Sequence, residues 1–174
     1  MLENAYPFLF IQNMEDEQHV AKLVKMYRFK STKSNLTYIV RVEVYQLHVY
    51  AIKFYLKTNR NSPNKYRLAT NTNEPLRIIN TCINIMLSIC QDDAKTSFGF
   101  IGSNGMDEDT YCCTKRYRVY SKIMARRFSD EKFYHMENKG KSAYLMLNRE
   151  MLRSNPNMVN DIQKFFASQY DYFD

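Results

Sequence analysis

Tryptophan is absent from the chain, and glycine, proline and cysteine occur only four times each. The first glycine is Gly99. This scarcity excludes glycine- or proline-rich linkers, collagen-like repeats and low-complexity tracts. Long apolar runs are also missing: a membrane span needs about 18 consecutive apolar residues. The nearest approach, residues 78–89, is interrupted by Asn80, Thr81, Asn84 and Ser88. Met1-Leu2-Glu3-Asn4 has no basic region ahead of its short apolar run, so no secretory signal and no membrane association are expected. Cys82, Cys90, Cys112 and Cys113 follow no metal-ligand spacing. They read as reduced thiols of a cytoplasmic protein, and no metal is expected. Histidine is scarce too. His19, His48 and His135 have no partner at a ligand spacing, which makes each a structural residue.

Aromatic residues and positive charge are plentiful by contrast. Fourteen tyrosines and eleven phenylalanines supply a substantial core with some rings left exposed. Twenty-five Lys and Arg against eighteen Asp and Glu leave a formal charge of +7, which favours an anionic partner such as nucleic acid or an acidic protein.

The periodicity predicts one continuous α+β domain over residues 1–174, with a largely antiparallel sheet and flanking N- and C-terminal helices. Asn13 followed by Glu15, Asp16 and Glu17 predicts a helix over 14–26. Strands are expected at 27–29, 37–45, 48–57 and 66–70, with turns at 32–35 and 59–64. Val40, Val42 and Val44 would share one strand face and Arg41 and Glu43 the other. Thr72 or Asn73 is positioned to cap a helix that opens on Pro75, with Leu76, Ile79, Ile83, Met86 and Cys90 at helical spacing. A strand at 97–101, a turn at 102–105, a helix over 111–128, a hairpin around Asn138-Lys139-Gly140 and a last helix capped by Asn155 complete the order.

The helix over 111–128 carries the strongest chemical signal. At ~100° per residue, Lys115, Arg118, Lys122 and Arg126 fall in one sector, with Tyr117, Tyr120, Met124 and Phe128 opposite. Arg116 and Arg127 add charge, and the segment contains no acid. Such a strip is either a solvated face or an anion-binding one, here assigned to Lys115, Arg116, Arg118, Lys122 and Arg126. No catalytic constellation accompanies it. Asp107-Glu108-Asp109 reads as a helix start, and Gly99–Gly105 lacks the spacing and the Lys-Ser/Thr ending of a phosphate loop. Basic neighbours and a helix N-terminus near Cys112-Cys113 predict a lowered thiol pKa without supplying a base.

The order of meander, helix, strand, helix and hairpin over residues 27–148 resembles the Gcn5-related acetyltransferase fold. Val119-Tyr120-Ser121-Lys122-Ile123 is similar to that family's Leu-Tyr-Glu-Lys-Leu segment. The resemblance implies an acyl-CoA-dependent N-acetyltransferase in which Tyr120 protonates the departing thiolate. Where that family carries its glycine-containing pyrophosphate loop, this chain reads Asn71-Thr72-Asn73-Glu74-Pro75-Leu76-Arg77-Ile78. The stretch 74–79, the basic Tyr-Arg-Val-Tyr helix and the Asn155-Pro156 helix also resemble a small uncharacterised bacterial family of Bacteroidetes type. Together these features predict a non-catalytic binding or regulatory domain with an anionic partner and no cofactor, in a bacterial conflict setting such as phage defence or a toxin–antitoxin pair. An acetyltransferase-like enzyme with a degenerate loop is the alternative, and a nuclease or other toxin with an unrecognised site a third reading.

Overall fold

The computed structural model describes residues 2–18 and 20–169. Among these residues, seven strands and four α-helices make an α+β fold, with antiparallel pairing between β1 and β2, β2 and β3, β5 and β7, and β6 and β7. The strands are β1 (Phe8–Met14), β2 (Leu23–Lys30), β3 (Thr37–Val44), β4 (Val49–Leu56), β5 (Ser97–Ile101), β6 (Phe133–Asn138) and β7 (Ala143–Asn148). The helices are α1 (Pro75–Asp92), α2 (Lys115–Arg127), α3 (Arg149–Ser154) and α4 (Met158–Gln169). The chain divides into two compact units, one of residues 1–44 and 51–94, the other of 45–50 and 95–174.

In the first unit the strands run in the order β1-β2-β3-β4. Tyr27 and Phe29 of β2 lie opposite Val40 and Tyr38 of β3, and all four are buried. Phe29 stacks on Tyr38 at 4.8 Å and on Tyr6 at 5.8 Å, so aromatic ladders replace the missing tryptophan. Helix α1 is buried on a wide face that includes Ile78, Ile79, Cys82, Ile83, Ile85, Met86 and Ile89. Each such aliphatic side chain contributes about 1.5–3 kcal/mol on removal from water. The polar residues of that face are satisfied by the segment before β1. Asn84 accepts from the Leu2 N–H at 2.7 Å and donates to its carbonyl, Thr81 accepts from the Tyr6 N–H, and Asn80 donates to the Asn4 carbonyl.

In the second unit the order is β5-β7-β6, closed by the β6–β7 hairpin. Phe98, Phe128 and Phe133 meet at 5.5–6.5 Å beside Tyr50.

Several local expectations change. Residues 14–26 form no helix: Met14 ends β1 and Leu23 opens β2. The Asp16 carboxylate accepts the N–H groups of Val20 and Ala21, so it closes a turn and does not start a helix. Residues 66–70 are not a strand; Tyr66 packs edge-on against Tyr55 at 5.5 Å from a turn. Neither Thr72 nor Asn73 caps α1, whose N-cap is Glu74. Asn73 is left-handed (φ 52°), and the Thr72 hydroxyl bonds to that of Tyr38. Leu76 leaves the apolar stripe and is exposed. Helix α2 begins at Lys115 and not at 111, because Cys113 has φ 53°, outside helical space. The last helix starts at Met158, after a short α3 capped by Asn148, which the periodicity had not indicated.

Candidate anion-binding site

The basic strip is built on α2, held at its first turn by three local devices. Thr114 caps the helix, its hydroxyl accepting from the Tyr117 N–H and donating to the Gly102 carbonyl. Glu108 accepts the Lys115 N–H at 2.8 Å and the Gly105 N–H at 2.9 Å. Ser142, at the end of the β6–β7 turn, accepts from the Thr114 N–H and donates to the Tyr111 carbonyl. Gly102 is required here by proximity: a Cβ on it would stand 2.5 Å from the Tyr117 nitrogen.

The helix divides as its periodicity predicts. Tyr117, Ser121 and Met124 are buried, as is the following Phe128, and the Tyr117 hydroxyl donates to Glu137 at 2.6 Å. Lys115, Arg118, Lys122, Arg126 and Arg127 are exposed, whereas Arg116 is half-buried. Although α2 has no acid of its own, the preceding loop brings Asp107 to Lys115 at 2.8 Å. That contact raises the Lys115 pKa and lowers that of Asp107, the shared hydrogen bond being the main cause of both. Arg118, Lys122 and Arg126 follow at four-residue intervals, about 6 Å apart along the axis. The result is an exposed cationic row whose head, Lys115, is paired with Asp107.

The N-terminus of α1 is where the acetyltransferase resemblance would place a pyrophosphate. It offers poor conditions for one. Pro75 has no N–H to give. The N-cap carboxylate, Glu74, is buried and receives hydroxyls from Tyr6, from Ser31 at 2.8 Å and from Ser34 at 2.8 Å. Burial raises its pKa, but the hydrogen bonds from Tyr6, Ser31, Ser34 and Thr72 outweigh that effect and hold it below the ordinary value. A negative charge is thus already installed beside the helix end that would have to receive a second one. Arg77 lies over the Tyr6 ring at 4.1 Å, and its Nε is buried without a hydrogen-bond partner.

Tyr120 is half-buried, edge-on to Phe100 at 5.6 Å. The Cys112 and Cys113 sulfurs are 3.6 Å apart, and the contact raises the Cys112 pKa, contrary to the lowering expected from its basic neighbours. His135 is structural: Nδ1 meets the Tyr144 hydroxyl at 2.8 Å and Nε2 the Phe128 carbonyl at 3.1 Å. Because a carbonyl only accepts, Nε2 carries the proton and Tyr144 donates to Nδ1. His48 has φ 55° in the turn before β4, and His19 lies outside the described residues. Among the described residues, no group of three or more His, Cys, Asp or Glu is placed to hold a metal ion, and no helix is long and apolar enough to cross a membrane.

Two features were not anticipated from the sequence. Arg41 bridges Asp16 (2.7 Å) and Glu43 (3.1 Å), and Lys53 completes the pairing of Glu43 at 2.8 Å. The i, i+2 alternation of Arg41 and Glu43 shows that they share a strand face, but their partners come from distant segments. The second is a cleft of about 200 Å³ lined by Tyr45, Leu47, Val49, Asp161, Phe165 and Phe166. No protein-family model, curated protein or solved structure matches the chain.

Proposed function

We propose that this protein is a non-catalytic binding or regulatory domain that engages an anionic partner, nucleic acid or an acidic protein, along α2. The observation that carries the reading is the exposed row Arg118, Lys122 and Arg126, with Lys115 held at its head by Asp107. Like charges at four-residue intervals repel one another, so this row is costly unless it meets negative charge. The buried carboxylate and proline at the start of α1 support binding over acyl-CoA chemistry. The reading includes a cytoplasmic location, which the four cysteines in reduced form support, and a bacterial conflict setting, which rests on the family resemblance.

The test is the double charge reversal Arg118→Glu/Lys122→Glu, with affinity for single- and double-stranded nucleic acid measured at low and moderate salt. Both residues project away from the buried face, so stability should change by under ~0.5 kcal/mol per site. Binding by the wild type should weaken with salt, and the double variant should lose most of the low-salt affinity. Equal affinities for both proteins, or no binding by the wild type at low salt, would remove nucleic acid and leave an acidic protein as the partner to be sought by pull-down.

A further inference from the structure

Two adjacent cysteines precede α2, and the anion-binding reading makes no use of them. Side chains next to each other in sequence point to opposite faces of a strand and about 100° apart around a helix, so neighbouring thiols seldom converge. Here they do. The sulfurs of Cys112 and Cys113 lie 3.6 Å apart, Cys112 exposed and Cys113 half-buried. Cys113 stands at φ 53°, a region that few non-glycine residues enter. Both backbone N–H groups are tied: Cys112 donates to the Thr110 hydroxyl at 3.1 Å and Cys113 to the Lys139 carbonyl at 3.1 Å. The turn thus holds two thiols together at the surface. Cys82, by contrast, is buried and shielded from solvent.

We propose that Cys112 and Cys113 are a redox modification site, oxidised by a peroxide to a vicinal disulfide and returned to two thiols by a thiol reductant. The step balances as two thiols and one peroxide giving one disulfide and two waters. The exposed Cys112 sulfur attacks the O–O bond and takes one oxygen as a sulfenic acid, while the other oxygen leaves as water. The Cys113 sulfur then displaces the sulfenic oxygen, which departs with the Cys113 proton as the second water. Sulfur loses two electrons and the peroxide gains them. The contact with Cys113 raises the Cys112 pKa, so the first step is slow. The second is fast, because the resolving sulfur already stands at 3.6 Å, and the sulfenic acid does not accumulate. Consecutive Cα atoms are about 3.8 Å apart, short of the roughly 4.4–6.8 Å usual across a disulfide, so the bond is strained and readily reduced. Exposed and strained disulfides are the labile ones, which makes this site reversible and not a structural staple.

The experiment treats the folded full chain with hydrogen peroxide, alkylates it, digests it and maps the thiols by mass spectrometry, beside the same chain in urea. In the folded protein the peptide carrying both cysteines should lose two hydrogens and resist alkylation, and dithiothreitol should restore both thiols. In urea nothing holds the two sulfurs together, and the yield of that bond should fall several-fold. Cys113→Ser should halt the reaction at a Cys112 sulfenic acid, captured by dimedone, where the wild type gives little adduct. Its circular dichroism spectrum should match that of the wild type; if it does not, Cys112→Ser removes the same bond at an exposed position. Cys112 and Cys113 that remain separately alkylated, a bond from either to Cys90 or to another chain, or an equal yield in urea would overturn the proposal. Nucleic-acid affinity plays no part in this readout, so it stands or falls apart from the α2 reading.

Discussion

Glu74 is the residue whose chemistry is most fully determined by its surroundings. A buried carboxylate without donors would be expelled or protonated, and here the hydroxyls of Tyr6, Ser31 and Ser34, from two separate segments, keep it charged. Its folded-state pKa lies below the ordinary 4.5, so its contribution is complete above that value and is lost as pH falls through the lower, folded value. Glu74→Gln should therefore destabilise by about 1–3 kcal/mol at neutral pH, since one acceptor oxygen becomes a donor facing hydroxyls. The gap between wild type and variant should narrow as pH falls below 4.5. Urea unfolding of both proteins between pH 3 and 7 measures this. A gap independent of pH would show that the carboxylate charge contributes nothing. Asp16 acts in the same direction, burial raising its pKa and the Ala21 and Val20 N–H groups and Arg41 together lowering it, which is why the comparison uses a variant and not the wild type alone.

At the scale of elements, α2 is the most informative. Its apolar side could be read from spacing alone, because Tyr117, Met124 and Phe128 recur at helical intervals and are buried together. Its true start could not, since that depends on the left-handed Cys113 and on the contact of Gly102 with the Tyr117 backbone. Gly102→Ala should thus separate the loop from the helix head and destabilise by about 1–3 kcal/mol, the range for forced overpacking. Thermal unfolding monitors the change, and an unaltered midpoint would show that the loop can retreat freely. The strands that formed where expected, β3 and β5–β7, carry alternation or clear turn signals. Residues 8–14 carry neither, being apolar without alternation because the strand is exposed along most of its length. Asn13 followed by Glu15, Asp16 and Glu17 imitates a helix start, although the Asp16 carboxylate serves a turn. The cationic row was legible because it lies within one helix. The Glu74 and Glu43 networks were not, because their bonded members are separated by up to 68 and 25 positions in the chain.

For the whole molecule, charge and cofactor requirements point to different functions, and a single titration separates them. A protein of formal charge +7 attracts any polyanion at low salt, so weak binding of acetyl-CoA through its phosphates would itself be salt-sensitive. Specific binding would survive moderate salt. Calorimetric titration with acetyl-CoA at moderate salt should show no saturable binding, because the expected pyrophosphate position carries Glu74 and Pro75 in place of a glycine loop. Saturable micromolar binding there would overturn the non-catalytic reading, and loss of acyl transfer in Tyr120→Phe would then favour the acetyltransferase alternative.

The short connection between β1 and β2 also has a consequence in time. Lys30 is the sixteenth residue after Met14, these being the last residues of the two strands. At roughly 5–20 residues per second, synthesis completes β2 about one to three seconds after β1. During that interval the uncharged Phe-Leu-Phe-Ile segment has neither edge covered. Afterwards its inner edge is taken by β2, and only the outer edge remains available to another chain. The order in which the strands leave the ribosome thus limits to seconds the period in which this segment can pair indiscriminately on both sides.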